Sequence, residues 1–223
     1  MTATGWRAQQ AERTRAEILR VAFEVAAAEG LEALTVGRLA TALGMSKSGL
    51  FAHFGSKEAL QLATLELARE RFVEAVGRGA LSADEGLPRL QALCDGWLRY
   101  AADEASRGGC FFTAASAEFD GRPGPVRDRV AAILGEWLGA LEGAIAGAQR
   151  LGHLDRKVDA RQLAFELHAL EMAADWATQL FGDREALGRA RRGIDERLRA
   201  AAAIPVKHKK HTPRGQKRAT VRR

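Results

Sequence analysis

The stretch TVGRLATALGMSKSGLFAHFGSKEAL, Thr35 to Leu60, constrains this chain more than any other, because it spells short helices joined by a turn too tight to let them lie side by side. Thr35 offers a hydroxyl to the free amides of a helix start, and Val36, Leu39, Ala40 and Leu43 recur at helical spacing on one face. Gly44 supplies a residue that tolerates left-handed backbone where that helix must end, and Ser46 is placed to cap a second helix at once. Helices joined so closely cross at a steep angle.

The second helix runs from Ser46 to about Phe54, with Leu50 and Phe54 facing inward and Lys47, Ser48, Gly49, Phe51 and His53 facing outward. Small, hydroxyl-bearing and basic residues in a first helical turn suit close approach to base edges and phosphates in a major groove. Ser56 caps a third helix, with Glu58 favourable in its first turn and Lys57 free to reach a phosphate.

The run RAEILRVAFEVAAAEGLEALTVGRLATALGMSKSGLFAHFGSKEAL, Arg15 to Leu60, resembles the N-terminal DNA-binding domain of the TetR family of transcriptional regulators. Its marks are the first amphipathic helix ending in EGLEALTV, then LATALGMSKSGL, then FAHFGSKEAL. The resemblance implies that Thr35, His53 and Lys57 contact the DNA backbone and that Ser46, Lys47, Ser48 and Gly49 lie where base or phosphate contacts are made. Phe51 stands where the family usually has a tyrosine that touches a phosphate. It further implies a palindromic operator, a homodimer and a small-molecule effector.

Length and composition fit that class. The 223 residues hold one small domain and one larger helical domain, and 47% apolar residues with only five prolines favour long helices. We expect an all-α fold: an N-terminal three-helix helix-turn-helix domain over 11–71, its motif at about 34–53, and a larger C-terminal helical ligand-binding and dimerisation domain over 72–203. Further helices are predicted from Ser56 to about Gly77, Leu87 to about Ala105, Cys110 to about Glu118, Pro125 to about Leu151, Asp159 to about Phe181 and Asp183 to about Ala203. Gly77, Gly79 and Ser82 are read as breaking the first of these.

Charge is informative once located. The net charge is +6, but Ala201–Arg223 holds eight Lys or Arg and no acid, so the preceding 200 residues carry a net −2. The first 60 residues have seven basic and six acidic side chains, so DNA affinity there must come from placement. Residues 204–223 form a basic tail expected to be disordered. If the tail binds DNA, deleting 207–223 flattens the salt dependence of binding.

The last two helices carry apolar faces suited to a dimer interface through about 159–203: Leu163, Leu167, Leu170, Ala174 and Phe181 on one, Ala186, Leu187, Ala190, Ile194 and Leu198 on the other. These faces suit closure of the monomer core as well. Candidate effector contacts are Trp97, Tyr100, Cys110, Phe111, Phe112, Glu118, Trp137, Phe165, His168, Met172 and Trp176, a set that suits a small hydrophobic ligand or an ordinary core.

No apolar run reaches the roughly 18 residues of a membrane span, and the N-terminus lacks a signal-peptide core, so a cytoplasmic protein with no membrane partner is expected. No metal site, cofactor or enzyme motif is expected: G-x-S-x-G, a phosphate loop and paired histidines at ligand spacing are all missing. Cys94 and Cys110 have neither disulfide nor zinc spacing. Two alternatives to an effector-released repressor remain: an architectural DNA-binding protein driven by the tail, and a redox-responsive regulator whose Cys110 thiolate is stabilised by a helix dipole.

Overall fold

The computed structural model describes residues 3–203, which form an all-α fold. The expectation of a disordered tail over 204–223 lies outside the described residues. Helix α1 spans Ala3–Glu29, and a single 3₁₀ turn, Leu31–Ala33, leads to α2 (Val36–Leu43) and α3 (Lys47–Phe54). Three side-chain caps set the starts that follow: Thr35 accepts from the Arg38 amide at 3.1 Å, Ser46 from Gly49 at 3.0 Å, and Ser56 from Ala59 at 3.0 Å. Gly44 ends α2 at φ 63°, and the Met45 amide returns to the Ala40 carbonyl at 2.9 Å. This is the glycine-terminated helix end that the turn requires. Ile18, Ala22, Leu34, Leu39, Leu50 and Leu60 are fully buried in an apolar core beneath the three helices.

Helix α4 (Lys57–Ser82) belongs to both halves of the molecule. Its first turns bury Leu60 and Leu65, while Phe72, Val76 and Ala80 enter the larger bundle of α5 (Leu87–Glu104), α6 (Phe111–Phe119), α7 (Pro125–Arg150), α8 (Ala160–Phe181) and α9 (Ala186–Ala200). The expected break at Gly77 and Gly79 does not occur. Two helical glycines cost about 1 kcal/mol each, which burial of Val76 and Ala80 exceeds. Gly96 on α5 allows the close approach, since a Cβ there would sit 2.7 Å from the Val76 carbonyl oxygen.

Two further expectations change. Helix α9 begins at Ala186, because the Asp183 carboxylate takes the Glu185 amide at 3.0 Å and holds a turn there. Helix α7 is long and apolar enough, by length and composition, to cross a membrane, contrary to the reading that no run is. Its apolarity is used in packing: Val126, Val130, Ile133, Trp137, Leu141, Ile145 and Ala148 are buried among α4, α5, α6 and α8.

All but Phe181 of the residues assigned to a twin are spent, fully or in part, inside the monomer. Leu163, Leu167 and Ala174 of α8 and Ala186, Ala190, Ile194 and Leu198 of α9 are all buried, and Leu170 and Leu187 are half-buried. The opposite side of α8 is exposed and apolar, with Phe165 64% exposed, Trp176 55% and Leu180 62%; Phe181, at the end of the inward face, is left 65% exposed and packs edge-on against Trp176 at 4.9 Å. Helical periodicity finds apolar faces, but α8 has two, and only packing decides which one the chain itself covers.

Candidate functional site

The surface of α3 is built as the sequence suggests except at Gly49 and His53, which are less exposed than expected. Leu50 and Phe54 anchor it, Lys47, Ser48 and the ring of Phe51 (51% exposed) face solvent, and Gly49 and His53 are half-buried. Ser46 lies 3.3 Å from the Ser48 hydroxyl while its own oxygen caps the helix. Thr35 likewise accepts from an amide and keeps its hydroxyl proton to donate. Arg15 was not singled out by sequence reasoning, yet it locks this helix to α1. Its guanidinium donates to the His53 carbonyl at 2.5 Å and lies 4.2 Å above the Phe54 ring.

Lys57 is not free. Its ammonium donates to the Glu32 carbonyl at 2.8 Å and to the Glu32 carboxylate at 2.5 Å. That hydrogen bond, with a further one from Gln61, holds the Glu32 carboxyl below the usual range. A phosphate contact by Lys57 therefore exchanges one anion for another.

Glu118 sits at a joint rather than in a cavity. Its carboxylate on α6 accepts from the Leu31 and Glu32 amides, each at 2.8 Å, and so caps the 3₁₀ turn between α1 and α2. Beside it, Phe111 stacks on Phe23 of α1 with centroids 5.4 Å apart. The start of α6 is held from the other side by Asp175, which accepts the Cys110 amide at 3.0 Å. Thus α6 bridges α8 to the helix-turn-helix.

The other effector candidates separate. Trp97, Tyr100, Cys110, Phe111 and Phe112 are core residues, and Phe72 meets Tyr100, Phe112 and Trp137 edge-on at 5.3 to 5.8 Å. Phe165 and Trp176 lie on the outer face of α8, and Met172 is half-buried. Trp137 alone of the set lines the apolar cleft of about 240 Å³ between α4, α5 and α7, together with Phe72, Val76, Leu93 and Ile133. The cleft continues past Gly77, Leu93 and Ala140 into a second of about 340 Å³. Tyr100 borders a separate, charged groove beside Arg71 and Arg99.

Behind Trp137 lies a group that sequence reasoning missed. Glu171 is fully buried, and burial pushes its carboxyl up to about 7 against the pull of His168. The signal was available: Glu171 falls four residues after Leu167 and eight after Leu163, on the buried face of α8, where an acid is out of place.

The thiolate reading of Cys110 fails on the same physics. Burial pushes its thiol up to about 11, the reverse of what activation needs. Among the described residues no cluster of three or more His, Cys, Asp or Glu could hold a metal ion.

Comparison with known proteins agrees with this architecture. Residues 18–64 match the model of the bacterial regulatory proteins of the tetR family, and residues 86–194 match the tetracyclin repressor-like C-terminal domain. The HTH-type transcriptional repressor NicS of Pseudomonas putida is 29% identical over 151 residues, covering 67% of this chain and 69% of that protein. The crystal structure of a TetR transcriptional regulator from Chloroflexus aurantiacus superposes with a TM-score of 0.79 at 23% identity, covering 87% of this chain and 98% of that one. A TetR-family regulator from Cytophaga hutchinsonii gives 0.78 at 16% identity, over 87% and 98%. With both of its halves matched by models of one family, this chain belongs to the TetR family of transcriptional regulators.

Proposed function

We propose that the protein is a cytoplasmic, non-enzymatic, homodimeric repressor that binds a palindromic operator through α3 and is released by a small hydrophobic effector. The observation that carries this reading is the continuity of α4, which buries Leu60 under the helix-turn-helix and Phe72 beside the cleft 12 residues later. A shift at Phe72 moves the base on which α3 stands. Residues 11–71 act as the DNA-binding part and 72–203 as the effector and dimer part.

In this account Ser46, Lys47, Ser48 and Gly49 approach bases and adjacent phosphates, and Thr35, His53 and Lys57 hold the backbone, with Phe51 packed against it. The dimer forms through the face of α8 that carries Phe165, Trp176 and Leu180, extended by Phe181 at the helix end, since these large side chains are otherwise left in water. Twofold symmetry then places two α3 helices in successive major grooves about 34 Å apart. An effector that prefers the wrongly spaced state weakens operator binding by roughly 5- to 150-fold for a coupling of about 1 to 3 kcal/mol, and operator weakens effector binding equally.

The test is selection of random duplex DNA by the full-length protein, followed by sequencing. Enrichment of one inverted repeat is the expected result. Enrichment without dyad symmetry, or none, overturns the reading.

A further inference from the structure

The Glu171 cluster has more polar atoms than partners. Glu171 Oε2 lies 3.2 Å from His168 Nδ1, and the Trp137 indole N–H points at the same Nδ1 from 3.3 Å. That nitrogen has one in-plane site, so it cannot accept from the indole and donate to the carboxylate at once. Among the described residues Glu171 Oε1 has no partner within hydrogen-bond distance while being fully buried, the Trp137 indole N–H giving the carboxyl only a weak hold. A buried polar atom left unmatched costs about 1–3 kcal/mol, more if charged. Its one ion-pair partner among the described residues is His168, and no Lys or Arg pairs with it.

The position of this unspent acceptor gives it meaning. Trp137 forms the wall between Glu171 and the apolar cleft, and Phe72 stands edge-on to Trp137 on the cleft side, 5.4 Å away. A cation in the cleft would meet the aromatic wall of Phe72 and Trp137 first and the Glu171 charge behind it, and both attract positive charge. Arg69 at the rim is committed to Glu136 at 2.7 Å. An anionic ligand would have to approach Glu171 itself.

We propose that the effector is an apolar molecule bearing a protonated amine, which enters the cleft between α4, α5 and α7, turns Trp137 aside and donates its N–H to Glu171 Oε1. This rests on the reading of the protein as an effector-released regulator. Turning Trp137 gives up its long bond to His168 and the weaker hold of its indole N–H on the Glu171 carboxyl, which the ligand N–H replaces, and presses its ring against Phe72 of α4, so occupancy of the site and displacement of the helix beneath α3 are one event.

The test uses the full-length protein and three probes of matched apolar body: phenylbutylamine, phenylbutanol and phenylbutyrate. Calorimetric titration should rank the amine first, about tenfold tighter than the alcohol, or ~1.4 kcal/mol. Glu171→Gln, checked for folding by circular dichroism, should remove that advantage and leave the alcohol unchanged. The ranking on the unaltered protein stands whether or not the variant folds. The acid or alcohol ranking first, no amine binding up to its solubility, or equal loss of amine and alcohol in the variant would each overturn the amine assignment. Operator release by phenylbutylamine, read by fluorescence anisotropy, tests the other reading separately: Glu171-dependent binding without release keeps the amine site and removes its role as effector site.

Discussion

Replacing Glu171 with Gln should make the protein more stable at neutral and alkaline pH, and the size of the gain follows from burial. The carboxyl sits at about 7 in the folded chain against 4.5 for an ordinary glutamate. Below 4.5 both folded and unfolded states hold the proton, and the group is neutral to stability. Between 4.5 and about 7 the folded state keeps a proton that the unfolded state releases, so stability falls as pH rises. Above about 7 both are ionised and the whole penalty remains, roughly 3 kcal/mol from the difference in pKa. Glutamine has no proton to lose, and its amide carries only a constant, pH-independent mismatch. Urea unfolding of both proteins at equal concentration, as the proposed dimer requires, should therefore show the variant gaining roughly 2–3 kcal/mol relative to the parent between about pH 5 and about pH 8. A difference that does not change with pH, or one that shrinks as pH rises, would refute the claim that Glu171 is buried at a cost.

Three other outcomes are expected. Glu118→Ala leaves the Leu31 and Glu32 amides uncapped and should cost about 1–2 kcal/mol in urea unfolding, with faster amide exchange in the 3₁₀ turn than in α8. Phe51→Tyr should tighten operator binding by about 1 kcal/mol or less, measured by anisotropy; no gain would mean the missing hydroxyl is no deficit. Trp176→Glu should shift the sedimentation equilibrium toward monomer by about 2 kcal/mol or more, whereas a Glu in place of a side chain that stays in water would leave association unchanged.

The helix-turn-helix was legible because its information is local. Thr35, Ser46 and Ser56 each cap the helix that follows them, and Gly44 ends α2, so four residues read one at a time set the boundaries. The bundle was legible only as elements. Whether Leu163 or Phe165 faces the core depends on what α8 meets, and both lie on apolar stripes of the same helix. Glu118 and Lys57 were assigned to ligand and phosphate, yet one caps a turn 87 residues away and the other pairs with Glu32, contacts that no local pattern encodes. Gly77 and Gly79 misled because propensity counts the glycine and omits the packing of its neighbours. Trp97, Phe111 and Phe112 look like cavity residues in sequence because core and cavity use the same side chains; only the shape left between helices separates them from Trp137.

The central claim is that α3 reads sequence from a surface of little net charge, so that specificity comes from placed side chains. The direct measurement is the ratio of affinity for the selected inverted repeat to affinity for scrambled DNA at fixed salt, for the parent and for Lys47→Ala and Ser48→Ala. The account predicts a ratio of about a thousand or more for the parent, with each substitution lowering it. A ratio near one, or a high ratio indifferent to both substitutions, would contradict it.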